Sequence, residues 1–236
     1  MFYTLALETS ELTGSVAVAA DGNILAELQL DPRQRSAQSL APTIQAILAQ
    51  VGLQPREIQL LAVTIGPGSF TGLRVGVATA KVFAYAAGAE VLGIGTLEAI
   101  AAATPTEIDA VSVAVDAQRG DVVAQPFRRA TTGWLETIGD RSLVPLQEWL
   151  TRLPPGFAVS GPVLKKWTDP LPPGVTMLDR TFWHPTAANV ARLAFRDYLA
   201  GRRDDLWRLL PIYSRPSAAE EKWKKIRVEP AGAAPP

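Results

Sequence analysis

Residues 61–88 read LAVTIGPGSFTGLRVGVATAKVFAYAAG. The run from 60 to 65 is unbroken, apolar and β-branched, the pattern of a strand buried on both faces. Gly66, Pro67 and Gly68 end it, the proline by fixing φ and the glycines by permitting turns that a Cβ would block. A helix follows, for which Ser69 and Thr71 are both available as caps. Inside it Gly72, Gly76, Ala80 and Ala84 fall four apart, so they share one face that is almost bare of side chain. Glycine within a helix costs about 1 kcal/mol against alanine. Two on one stripe point to a backbone that must come very close to something.

Glycines ahead of a helix invite a phosphate-site reading, because free N–H groups at a helix N-terminus attract anions. The segment 66–72, GPGSFTG, argues against it. It lacks the Gly-Lys-Ser/Thr ending of a P-loop, its spacing is not GxGxxG, and Pro67 removes one donor. A tight turn launching a close-packed helix is the stronger reading, with the packing either internal or against another chain.

Outward from this element, the chain alternates strands and helices. Strands are expected at 3–7, 15–19 and 24–30, with Asp21-Gly22 as a hairpin turn. A helix follows with Leu40, Ile44, Ile47, Leu48 and Val51 on one side, Ser39 as its cap, Pro42 in its first turn and Gly52 at its end. After 88 come a strand at 91–94 and a helix at 96–103 capped by Thr96. The order β-β-β-α-β-α-β-α describes a mixed sheet covered by helices. A second half then restarts: a strand at 110–115 ending in Asp116, a polar turn, and a strand at 122–127. Set side by side, ALETSELTGSVAVA and AVDAQRGDVVAQPF share strand, acid, polar loop, glycine and strand. A duplicated fold is therefore expected, with lobes at 1–104 and 105–215, the second smaller and interrupted by prolines. It holds short elements at 145–153, 157–160 and 175–178 and a helix at 186–200. The charged, then Pro/Ala-rich segment 216–236 is expected to be a disordered tail.

Composition narrows the function. The chain has 236 residues, 47% of them hydrophobic, and no cysteine. Disulfides and thiolate metal sites are excluded, and a cytoplasmic protein is the simple expectation. No apolar run is long enough to span a membrane. Lys+Arg and Asp+Glu balance at 23 each, a poor match to unaided nucleic-acid binding. The cationic segment 220–227, with its one indole, reads as a solvated tail before it reads as an RNA contact. His184 is the single histidine, so neither a histidine-based zinc site nor a Ser-His-Asp triad is supported elsewhere. Glu8 and Asp116, with Thr9, are the candidate cleft residues: acids ending the first strand of each half suit Mg²⁺ held through water. Both also fit loops whose side chains bond the backbone.

The segment 65–76, IGPGSFTGLRVG, resembles the TsaB (YeaZ) family of bacterial tRNA threonylcarbamoyladenosine biosynthesis. LALETS near the start, PR-x-x-S ahead of the first helix, GTLEA at 95–99, VDAQRG at 115–120 and PIYSR at 211–215 fall in that family's order. The resemblance implies a duplicated ribonuclease-H-like, actin-like ATPase (ASKHA) fold. It implies a role without catalysis: a partner subunit of the TsaD threonylcarbamoyltransferase, joined by the TsaE ATPase, with tRNA as the substrate of the complex and a homodimer when alone. It implies no tightly bound cofactor in this chain, ATP and Mg²⁺ being used by the partner complex. On this resemblance the partner helix carries Ser69, Phe70, Thr71, Gly72, Val75, Gly76, Thr79, Ala80 and Phe83, and a second interface helix carries Leu40, Thr43, Ile44 and Ile47. The chain departs from the family pattern at Glu8, commonly Asp, at Arg35, commonly His, and at Ile65, often Arg. The alternative reading is an actin-like small-molecule kinase or ATPase using Glu8 and Asp116 with Mg²⁺.

Overall fold

The computed structural model describes residues 1–34 and 36–215, with the backbone alone at Ser36. Arg35 and the expected tail at 216–236 lie outside the described residues.

The first half opens with β1 (Tyr3–Glu8), β2 (Ser15–Ala20) and β3 (Asn23–Gln29), an antiparallel meander. Helix α1 (Ser36–Gln50) leads to β4 (Leu60–Gly66), which pairs in parallel with β1. Helix α2 (Phe70–Ala87) and β5 (Glu90–Gly95) follow, β5 parallel to β4. The sheet order is β3-β2-β1-β4-β5. β4 lies inside the sheet, between β1 and β5, and is apolar on both faces: Leu61 and Val63 enter the core under α1 and α2, and Leu60 and Ala62 enter the core on the opposite face.

The second half repeats this plan. After the short α3 (Thr96–Ala101) come β6 (Ala110–Asp116) and β7 (Asp121–Arg129), antiparallel, then β8 (Leu135–Thr137) and β9 (Ser142–Pro145) on β7. Helix α4 (Leu146–Thr151), β10 (Ala158–Ser160) and β11 (Thr176–Met177) complete it, both strands parallel to the growing sheet. Its order, β11-β10-β6-β7-β8, is the first order read from the other end. β6 corresponds to β1, β7 to β2, β10 to β4 and β11 to β5. Two ribonuclease-H-like sheets of one topology make the duplicated actin-like fold that the internal repeat announces. Strands β8 and β9 are the elements missed in sequence, because they are short, polar and largely exposed.

The chain then returns. Helix α5 (Ala187–Leu199), capped by the Thr186 side chain accepting from Asn189 N at 3.2 Å, lies on the first sheet. Its Ala187, Val190, Ala191 and Ala194 pack with Ala6, Ala17, Leu60 and Ala62. So the first sheet has α1 and α2 on one face and α5 on the other. Burying each large aliphatic side chain there contributes roughly 1.5–3 kcal/mol.

Two helix starts, those of α1 and α3, differ from expectation, and at α2 the structure decides between two expected caps. α1 begins at Ser36, so Ser39 lies within it and Pro42 sits well past its first turn. The apolar period located the face of this helix but not its start. Ser69, not Thr71, caps α2, its Oγ accepting from Gly72 N at 3.2 Å. Thr96 is the first residue of α3, with Gly95 at the cap position and the helix ending at Ala101.

Candidate functional site

Two faces of α2 must be distinguished. Gly72, Gly76, Ala80 and Ala84 are all buried, and they face the chain's own sheet. A Cβ at Gly72 would overlap the carbonyl oxygen of Thr9, and one at Gly76 would overlap the Thr9 hydroxyl. The close backbone inferred from the glycine stripe is therefore the end of β1. This corrects the expectation that Gly72, Gly76 and Ala80 present a smooth docking surface. The same correction applies to Leu40, Ile44 and Ile47 of α1, which are core residues, with Thr43 alone partly exposed. In both helices the apolar period marks what the fold itself buries.

The outward side of α2 has a different character. Phe70, Val75, Thr79 and Phe83 are half-buried and Thr71 is exposed. Val82 is 70% and Tyr85 69% exposed, high for large apolar groups. At the start of the helix the Arg74 guanidinium lies 3.8 Å from the Phe70 ring centroid. Arg74 Nε donates to the Tyr213 hydroxyl at 2.9 Å, and the Phe70 and Tyr213 rings are 4.7 Å apart.

Tyr213 belongs to a strap that follows α5 back along α2. Asp204 accepts from Gly93 N at 2.8 Å, and Arg202 donates to Gly93 O at 2.6 Å. Lys81 Nζ donates to the carbonyls of Trp207, at 2.9 Å, and Leu209, at 3.3 Å. Ile212 N donates to Ile65 O at 2.6 Å. The strap buries Leu209 but leaves Trp207 69% and Leu210 67% exposed, with the Trp207 ring tilted against Tyr85 at 5.7 Å between centroids. A shallow groove of about 250 Å³ lies beside the last turn of α2, lined by Gln54, Pro55, Arg56, Phe83, Ala86 and Ala87. Together these form an apolar ridge along α2, widened by aromatic residues from the far end of the chain. Such exposure of clustered large apolar groups marks an interaction surface. The sequence pattern locates α2 and the 211–215 segment PIYSR, but not the exposed Arg74, Val82, Tyr85 and Trp207. For Arg74 and Val82 the signal was the four-residue spacing 70, 74, 78, 82 beside the buried stripe; no such spacing marks Tyr85 or Trp207.

The candidate cleft residues part company. Glu8 is completely buried at the end of β1. Its Oε1 accepts from Ser10 N at 2.6 Å and from Ser10 Oγ at 2.5 Å, with Thr64 Oγ1 at 3.5 Å, while Oε2 has no partner among the described residues. Burial pushes this carboxyl up to about 7, against the opposing pull of the two Ser10 bonds; the nearby charge of Glu11 adds to the rise. Thr9 turns to the other face, against α2, and its N–H donates to Thr64 Oγ1 at 3.2 Å. Asp116 is exposed, ion-paired to Lys166 at 2.7 Å, and accepts from Gln118 N at 3.1 Å to start a turn. That turn is left-handed at Gln118, Arg119 and Gly120, with φ of 65, 56 and 85°. So Glu8 is a buried neutral-range acid and Asp116 a turn-forming surface acid. His184 meets Glu11 at 2.5 Å. Among the described residues no three His, Cys, Asp or Glu side chains group as metal ligands.

A duplicated actin-like fold, with an exposed apolar ridge along α2 and a buried acid at the end of β1, defines the class of protein. The comparisons specify it. The family model for the tRNA N6-adenosine threonylcarbamoyltransferase TsaD matches residues 24–182. The tRNA threonylcarbamoyladenosine biosynthesis protein TsaB of Haemophilus influenzae is 30% identical over 94% of this chain and 96% of its own length. TsaB of Escherichia coli is 29% identical over 94% and 97%. The solved structure of YeaZ from Pseudomonas aeruginosa matches with a TM-score of 0.74 at 22% identity, covering 90% of this chain and all of that one. This chain belongs to the TsaB family of tRNA threonylcarbamoyladenosine biosynthesis, within the wider group that the threonylcarbamoyltransferase model describes. Among the described residues no helix is long and apolar enough to cross a membrane.

Proposed function

We propose that this protein is the non-catalytic partner subunit of a tRNA threonylcarbamoyladenosine synthesis complex, docking a TsaD-like catalytic subunit on the outward ridge of α2. The observation that carries this reading is the ridge itself: Val82, Tyr85 and Trp207 exposed together beside half-buried Phe83, on a helix held rigidly by its inward glycines. A TsaE-like ATPase joins the pair, and tRNA is the substrate of the assembly. ATP and Mg²⁺ serve the partner complex, and this chain binds no cofactor tightly. Alone, the chain covers the same ridge by self-association.

Mixing the protein with its TsaD homologue and following co-elution by size-exclusion chromatography tests the reading. A complex is expected, weakened by Val82→Glu. Independent elution of the two wild-type proteins overturns it. Depletion of the protein should lower threonylcarbamoyladenosine in bulk tRNA.

A further inference from the structure

The buried acid at the end of β1 is connected to the start of α2. Ser10 is the joint. Its N–H and hydroxyl both bond Glu8 Oε1, at 2.6 and 2.5 Å, while its carbonyl accepts from Ser69 N at 2.7 Å. Ser69 is the residue that caps α2, and Phe70 and Arg74 of the ridge lie in the turns it caps. Gly68 packs directly on Ser10, too close to admit a Cβ. One residue therefore ties a fully buried carboxyl to the helix end that begins the proposed docking surface.

Glu8 is poised for two states with different demands. Neutral, it satisfies its burial. Ionised with the loop closed, it keeps both Ser10 bonds at Oε1, but Oε2 carries buried charge with no donor among the described residues. Relief requires water at Oε2, and the 10–14 loop is the segment that can yield, since Leu12 at its tip is 92% exposed. The surrounding charges do not supply compensation. Glu11 in that loop opposes a charge on Glu8, and it is itself engaged by His184, which precedes α5. Ser15 of β2, opposite Glu8, is bonded to Glu27 of β3 at 3.1 Å, and β4 offers Thr64 as a weak donor.

We propose that Glu8 is a proton-operated control on the start of α2, acting through Ser10 and Ser69 on the ridge that docks the partner. The control rests on the docking reading above for its purpose, but not for its mechanism. The neutral acid holds Ser10 in place and α2 capped. Loss of the proton leaves the Ser10 bonds in place but drives the 10–14 loop open to hydrate Oε2; Ser10 moves with that loop, its carbonyl leaves Ser69 N, and the first turn of α2 frays, carrying Phe70 and Arg74 with it. Docking is then tighter below neutrality than above it.

The test is a pH titration by NMR on the full chain, reading the Glu8 carboxyl carbon and the amides of Ser10, Ser69 and Gly72. All four should move together with a midpoint near pH 7. Glu8→Gln should leave the three amides flat. Ser10→Ala removes a bond that favours the charged form, so it should move the Glu8 midpoint upward. A Glu8 midpoint in the ordinary carboxylate range, or a titrating Glu8 that Ser69 and Gly72 do not follow, overturns the proposal. In parallel, affinity for the TsaD homologue is measured at pH 6 and pH 8. A several-fold weakening at pH 8 in the wild type, absent in Glu8→Gln, supports the control; equal weakening in both overturns it. No association at either pH removes the docking reading, and the amide titration alone then decides the coupling.

Discussion

The helix backbone at Gly76 rests directly on the side chain of Thr9. No heavy atom fits between them. Because Thr9 follows the central strand β1, this contact fixes the height of α2 over the first sheet. Gly76→Leu should therefore act on folding before it acts on any partner. Overpacking of a tight contact costs typically 1–3 kcal/mol, occasionally more, and loss of about 3 kcal/mol or an insoluble product is expected in urea unfolding. A variant of unchanged stability would show that α2 can ride higher.

Val82 offers the complementary prediction. It is 70% exposed and takes no part in the core. Val82→Glu should leave stability within about 0.5 kcal/mol, as surface changes generally do, and weaken co-elution with the TsaD homologue. The pairing of intact fold with weakened association is what separates the outward ridge from the buried stripe.

Leu209 is the inward anchor of the strap, buried against Gly93 and Ile65. Leu209→Ala should cost about 2–4 kcal/mol. Amide exchange should accelerate first at Ile212 and Gly93, whose bonds to Ile65 O and Asp204 the strap maintains.

Stability itself should depend on pH through Glu8. Its carboxyl is raised from 4.5 to about 7 on folding. Below 4.5 both folded and unfolded chains hold the proton, and this contribution is fully present. Between 4.5 and 7 the folded chain keeps a proton that the unfolded chain releases, so stability falls as pH rises, and above 7 the loss is complete. A shift of that size corresponds to about 3 kcal/mol at most. Urea midpoints measured from pH 4.5 to 8 should show this decline in the wild type. Glu8→Gln should remove it and be the more stable protein at pH 8.

Much of the architecture was legible before any coordinates. The restart at 110 predicted a second sheet, and β6 and β7 repeat β1 and β2 in direction and position. That succeeded because strand, acid, loop and strand recur in order even where identity is low. The face of α2 was misjudged because a stripe of small residues reports only that a backbone comes close, not whose it is. Leu40, Ile44 and Ile47 were misjudged for a related reason: periodicity identifies a buried side, and a folded chain buries that side against itself first. The strap was invisible because most of its bonds involve main-chain groups, the carbonyls of Trp207, Leu209 and Ile65 and both polar groups of Gly93, which no side-chain pattern encodes. Glu8 was found as a residue but not as a chemical state, since only burial could turn an ordinary carboxylate into a neutral-range acid.

Helix α5 leaves a mark on how the protein is made. The Ala6, Ala17, Leu60 and Ala62 face of the first sheet has its cover in residues 187–194. On the ribosome, the opening half thus emerges with one greasy side bare and waits for almost the entire remaining polypeptide before that side can close. The leading lobe thus completes its packing only after α5 emerges, and until then its bare face is a surface for holding factors.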